Sequence, residues 1–317
     1  MRYLIVFKRI LFISLLLTSF LIEIPAQYDP SFAHYFDMEP SFNPASVGKQ
    51  AKLNVTAAVA LSFAGYRHSP RSLYAAADMP FYAFKNYHGV GVQLMSDELG
   101  AFSHKRLEAQ YAYRKELLGG YLSGGLQIGL LDESVDESKI ETKETDPVFS
   151  SSMDGNALDL GFGLYYSHGP WYVGLSGIHL TAPAVELGTT SVSYYKIDAS
   201  YYLTGGYNIK LRNPFVTIKP SFRVMTDGKN WREDVSGRVV YTHENKMLYV
   251  GAGYSPDISI TFMVGGSFHG VVLGYSYEMY TSGVGYGNGS HELFASYQMD
   301  INLEKKGKNK HKSVRIL

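Results

Sequence analysis

The feature that most constrains this chain is a hydrophobic pattern of period two that begins at Lys52 and recurs almost to the end. In the first instance Leu53, Val55, Ala57, Val59, Leu61 and Phe63 fall on one side, and Lys52, Asn54, Thr56, Ala58, Ala60 and Ser62 on the other. The last instance sets Leu293, Ala295, Tyr297, Met299 and Ile301 against Glu292, Ser296, Gln298, Asp300 and Asn302. Successive side chains of a strand point to opposite faces, so this alternation predicts strands with one apolar side. Further segments lie near 71–80, 88–96, 102–114, 119–131, 157–167, 171–181, 196–208, 215–226, 233–242, 247–255, 258–269 and 271–280. With the two ends they make about fourteen, and most approach the roughly 9 to 11 residues that a tilted transmembrane strand needs. No long window carries the helical period.

The side opposite the apolar one decides what the apolar one meets. Val216, Ile218, Phe222 and Val224 oppose Thr217, Lys219, Ser221 and Arg223; Val271, Leu273, Tyr275, Tyr277 and Met279 oppose Gly274, Ser276 and Glu278. A wet lumen tolerates such charges, and glycine lets strands curve closely. Tyrosines gather near strand ends, at 165–166, 201–202 and 275–280, as an interfacial girdle places them. A secreted β-sandwich or lectin also alternates. So many strands without a domain break favour one closed sheet, which leaves no open edge.

Export is written in the first residues. Arg2, Lys8 and Arg9 precede an apolar run over 10–22, which ends near Ile24, Pro25 and Ala26. That is the pattern of a secretory signal peptide, too short to span a bilayer, with cleavage expected after Ala26. The chain has no cysteine, which excludes disulfides, thiolate metal sites and a lipoprotein anchor. Its formal net charge is +0, so no global field argues for nucleic acid. The 26 Tyr, 17 Phe and 32 Gly among 317 residues suit strands and tight turns.

The expectation is an all-β chain: one closed antiparallel transmembrane barrel of about fourteen strands, in a Gram-negative outer membrane. The expected parts are a signal peptide over 1–26, an N-terminal periplasmic or plug segment over 27–50, the barrel over 51–303, and a basic periplasmic tail over 304–317. With both termini in the periplasm, the short connections at 167–170, 211–214, 243–246 and 269–270 face inward. The longest, at 132–156, 182–195 and 281–290, face outward, although 97–100 and 255–257 are short outer ones. No enzyme or cofactor is expected. The ten histidines form no pair at metal-ligand spacing, the glycine runs complete no phosphate-binding fingerprint, and a nucleophile elbow is absent.

The stretch before the first strand is too broken by proline to be regular. Its Asp29, Pro30, Phe32, Tyr35, Asn43, Pro44, Ala45 and Gly48 resemble the opening of the PorP/SprF family of type IX secretion system membrane proteins. The likeness continues through an early hairpin over 89–100, through Tyr111, Tyr113 and Arg114, through Pro220 and Ser221, through Tyr275, Tyr277 and Glu278, and through His291 and Glu292. Glu278 stands where the family more usually has aspartate, and the lysine-rich tail has no counterpart. The resemblance implies a barrel similar to the fatty-acid-transporter type. It also implies a role in type IX secretion or in the delivery of surface adhesins, including those used for gliding, with periplasmic ring components of the machine and exported adhesin or cargo proteins as partners. A channel for small or lipidic solutes is the second reading.

Two charged stretches stay open. Residues 132–146 carry Asp132, Glu133, Asp136, Glu137, Glu141, Glu144 and Asp146 against Lys139 and Lys143: either a surface for cation-bridged lipopolysaccharide or an exported partner, or a solvated loop. Lys305, Lys306, Lys308, Lys310, Lys312 and Arg315 either dock on a ring subunit or peptidoglycan, or form a plain basic end.

Overall fold

A computed structural model describes residues 29–136, 153–187, 193–244, 246–281 and 289–301. The stretch read as a signal peptide, the basic tail and most of the acidic stretch lie outside the described residues. In chain order the strands are β1 (Lys52–Leu61), β2 (Arg71–Ala83), β3 (Asn86–Leu99), β4 (Phe102–Leu117), β5 (Gly120–Val135), β6 (Met153–His168), β7 (Trp171–Ile178), β8 (Ala184–Leu187), β9 (Ser193–Lys196), β10 (Ser200–Tyr207), β11 (Ile209–Lys210), β12 (Val216–Thr226), β13 (Trp231–His243), β14 (Lys246–Ser255), β15 (Ser259–Phe268), β16 (Val271–Tyr280) and β17 (Ser290–Asp300).

Neighbours in sequence pair antiparallel, β1 pairs with β17, and β10 pairs with both β7 and β12. The sheet therefore closes into a 14-stranded barrel, with β11 a short continuation of β10 and β8–β9 a separate hairpin. The alternation predicted this count and most of the boundaries. It overran at β1, where the strand stops at Leu61 and Phe63 takes a left-handed turn, its ring stacked on Tyr280 at 4.5 Å. It overran again around 180, where β7 ends at Ile178 and β10 begins only at Ser200. The stretch read as an open loop over 182–195 holds the β8–β9 hairpin instead, because Val185 and Ile197 bury themselves against Leu131 near the end of β5.

The faces follow the parity of the sequence. Along β5, Leu126, Ile128 and Leu130 are 59%, 51% and 58% exposed, while the intervening Gln127 is 3% exposed. Polar groups inside and aliphatic ones outside is the inverse of a soluble β-sandwich, and a belt of this kind is stable only against hydrocarbon. Ile128, near the middle of β5, gives a direct check. Ile128→Lys should destabilise the vesicle-inserted protein by about 2–4 kcal/mol in urea unfolding, the cost of a cation near the bilayer midplane. A loss below about 0.5 kcal/mol, usual for a wet surface position, would place that face in water.

One rim is made of tight turns. Phe84–Lys85, Leu118–Gly119 and His269–Gly270 all have positive φ, the conformation of two-residue hairpins whose twist matches the strands. Both the first and the last strand have their chain ends at this rim.

Candidate functional site

The barrel would be hollow if its wall were all there was. Residues 29–49 occupy the interior. Proline at 30, 40 and 44 prevents a regular strand, and the segment folds instead around two single 3-10 turns, Glu39–Ser41 and Pro44–Ser46. Asn43 caps the second turn by accepting from the Ala45 amide at 2.9 Å, and its own amide donates to the Leu164 carbonyl at 3.2 Å.

Apolar residues of the segment supply the core that the polar wall lacks. Tyr35, Phe36 and Phe42 pack with Ile178, Tyr202, Met225, Val240, Tyr249 and Met263. Phe32 and Met38 pack against Ala58, Ala60, Tyr74, Met95, Val272 and Phe294. These partners come from strands all around the barrel, so the segment acts as an axial plug. Between it and β13–β16 a cavity of about 20 Å³ remains, enough for one water.

The end of the plug farther from the turn rim is held by charge. The Asp29 carboxylate accepts from Arg106 at 2.6 Å and from Tyr202 at 2.8 Å, and lies 3.2 Å from the His179 ring. Beyond it, His179 Nδ1 sits 2.9 Å from Asp159. Burial alone would raise the Asp29 pKa, but the positive charges of His179 and Arg106 outweigh it and hold the carboxyl well below the usual carboxylate range. His179 lies just past β7. Burial would lower its pKa, but the Asp29 charge and hydrogen bonds to Asp159 and Asp29 push it up to about 9. At neutral pH Asp29 and His179 are therefore both charged.

A second band holds the middle. His34 Nδ1 meets Glu292 at 2.6 Å and its Nε2 meets the Tyr249 hydroxyl at 2.8 Å, while the ring stacks on Phe294 at 5.2 Å. Tyr35 shares its hydroxyl with Ser236 at 2.9 Å, and its ring lies 4.8 Å from the Arg223 guanidinium. Arg223 also holds Ser31 and pairs with Asp234 at 2.5 Å; Arg232 bridges Asp234 at 3.0 Å and Glu278 at 3.3 Å. Asp37 pairs with Arg238 at 3.3 Å, and Glu39 with Lys49. The Asp37 pairing matters because Lys219 and Arg238 stand directly opposite each other on β12 and β13, a like-charge pair that Asp37 offsets.

The residues singled out from the sequence fall into two groups. Asp29, Phe32, Tyr35, Asn43, Pro44, Ala45 and Gly48 are buried in the plug with Pro30 half-buried beside them. Arg114, Glu278 and Glu292 line the wall, where Arg114 and Glu292 bond the plug directly and Glu278 joins its supporting network. Tyr111, Tyr113, Tyr275, Tyr277 and His291 face outward and take no part in the plug. There Tyr111 bonds His88 at 2.7 Å and Tyr275 bonds His291 at 2.8 Å. Sequence reasoning missed the anchor partners Arg106, His179 and Tyr202. Parity along β4 places Arg106, Glu108 and Gln110 inward together, and that was the available signal; nothing local marks His179.

The sequence profile of the family described as "Type IX secretion system membrane protein PorP/SprF" matches residues 24–297. Among curated proteins, none matches the chain. Solved structures of similar fold include a TodX deltaS2S3 mutant monoaromatic hydrocarbon channel, at TM-score 0.51 and 9% identity over 82% of this chain and 93% of that one. Others are the CymD monoaromatic hydrocarbon channel, at TM-score 0.49 and 9% identity over 87% and 94%, and a Pseudomonas aeruginosa FadL homologue, at 0.48 and 10% over 81% and 92%. Identities this low speak to the fold alone.

Proposed function

Because the chain belongs to the PorP/SprF family of type IX secretion system membrane proteins, we propose that it is a non-catalytic scaffold linking the periplasmic machinery to exported surface proteins. The observation that carries this reading is the filled lumen: the buried Arg106–Asp29 ion pair and aromatic packing hold residues 29–49 along the barrel axis. A rigid, occupied barrel is suited to holding turns on one side and loops on the other at fixed positions, and poorly suited to passing solute. A channel of the fatty-acid-transporter type has only the fold likeness in its favour. Deleting the gene should abolish surface delivery of exported proteins while leaving uptake of small apolar solutes intact. The reverse outcome supports the channel.

The periplasmic contact of such a scaffold has a candidate in the turn rim. Phe84 and Leu118 are 91% and 83% exposed at φ 48° and 51°, where two-residue hairpins favour Asn or Gly. An apolar side chain in that conformation gains nothing for the turn and nothing for the core. The pair suits insertion into apolar pockets of a ring component. The double variant Phe84→Asn and Leu118→Asn should leave barrel assembly unchanged or slightly stabilised, yet lower secretion at least tenfold. Normal secretion by a correctly inserted double variant removes this surface from the proposal.

A further inference from the structure

We propose that the barrel interior is a binding site for a polypeptide segment, and that residues 29–49 occupy it as an exchangeable ligand. The argument starts from what the wall bonds. Glu292 accepts from the amides of Ala33 at 2.6 Å and His34 at 3.1 Å. Gln110 donates to the Pro40 carbonyl at 2.7 Å, and Ser176 to the Phe42 carbonyl at 2.6 Å. Asp78 accepts from the Gly48 amide at 2.8 Å, and Arg114 donates to the Lys49 carbonyl. Besides the side-chain pairs already described, wall side chains on β2, β4, β7 and β17 thus bond peptide groups of the segment from Ala33 to Lys49.

Main-chain bonds of this kind give affinity for polypeptide as a class, and pockets for side chains give selection, as in other modes of peptide recognition. Here the selecting pockets are the cationic one of Arg106 and His179 that receives Asp29, and the apolar clusters that receive Phe32, Phe36 and Phe42. Glu292, Gln110 and Ser176 are buried with the segment in place and lose bonding partners when it leaves. A small apolar solute satisfies none of these groups. The covalent link contributes little to the seat: Gln50 and Ala51 are exposed, and the wall begins where the Ile301 amide donates to the Ala51 carbonyl at 2.9 Å.

The inference goes beyond the secretion reading and is tested apart from it, on purified full-length protein. A protease site inserted between Gln50 and Ala51 is cut after the protein has folded in detergent, and a fluorescent peptide of residues 27–50 is added. The cut segment should co-elute with the barrel, and the labelled peptide should replace it saturably on warming below the barrel's own transition. A peptide carrying Asp29→Asn should bind at least tenfold more weakly, as expected for a lost buried charged hydrogen bond, and a scrambled peptide should not bind. Three results overturn the proposal: no exchange at any such temperature, equal binding of the scrambled peptide, or loss of heat-modifiable migration as the segment departs. The last would make the segment part of the barrel's structure and not its ligand. A secretion defect in the gene deletion bears on none of these outcomes.

Discussion

Asp29→Asn is expected to free the outer end of the plug and to destabilise the folded barrel by about 3 kcal/mol, the lower range for breaking a buried ion pair from one side. The carboxylate balances two cations, Arg106 and His179, in a place where all three side chains are almost wholly buried. His179 escapes by shedding its proton once the anion is gone, but a guanidinium does not deprotonate, so Arg106 keeps its charge and loses the carboxylate at 2.6 Å. Planar-bilayer conductance should change from closed to intermittently open. Unaltered stability together with a closed barrel would show that the anchor is dispensable.

The same cluster predicts a pH response. Asp29 has a folded pKa depressed below the ordinary value, so its contribution is present above about pH 4 and is lost only in stronger acid. His179 has the opposite sign: raised from 6.5 to about 9, it contributes fully below 6.5 and loses that contribution as pH rises through about 9. Stability should therefore fall between about pH 6.5 and 9 by on the order of 3 kcal/mol. His179→Gln should flatten that limb of the profile, and an unchanged slope in the variant would assign the loss to other groups.

How much of this could be read beforehand depends on the range of the interactions. The strand count and faces come from neighbours two apart in sequence, so Leu126, Ile128 and Leu130 declare their side without any knowledge of the fold. The plug is built from contacts between residues far apart in the chain. His34 meets Glu292 and Asp29 meets Tyr202, and no local pattern announces either pair. The aromatic residues of 29–49 left two placements open, inside the lumen or against a periplasmic partner, because burial in one's own barrel and burial in a neighbour select the same side chains. The β8–β9 hairpin escaped for a related reason: the value of Val185 and Ile197 lies in Leu131 on another strand. The short β7 and β10 are consequences of that hairpin, which draws the chain inward before the alternation ends.

The largest effect on the plug is expected from the wall, at glycines whose importance is invisible in an alternating pattern. A β-carbon on Gly125 would collide with the main chain of Pro44 and Ala45, and one on Gly89 with the carbonyl of Val47. Both obstacles are backbone on the far side and cannot rotate away like a side chain. Overpacking of this kind costs typically about 1–3 kcal/mol for each added group, relieved only by movement of the plug away from the wall. The double variant Gly89→Ala and Gly125→Ala should therefore keep an intact wall, since alanine suits a strand better than glycine, while the second 3-10 turn loses its seat. The expected signature is a split: heat-modifiable migration and membrane insertion retained, but proteolysis near residue 50 faster by at least tenfold and the lumen conductive. A variant that inserts normally and keeps the segment protected would mean that the wall, not the plug, gives way, and that the barrel is softer than its paired strands suggest.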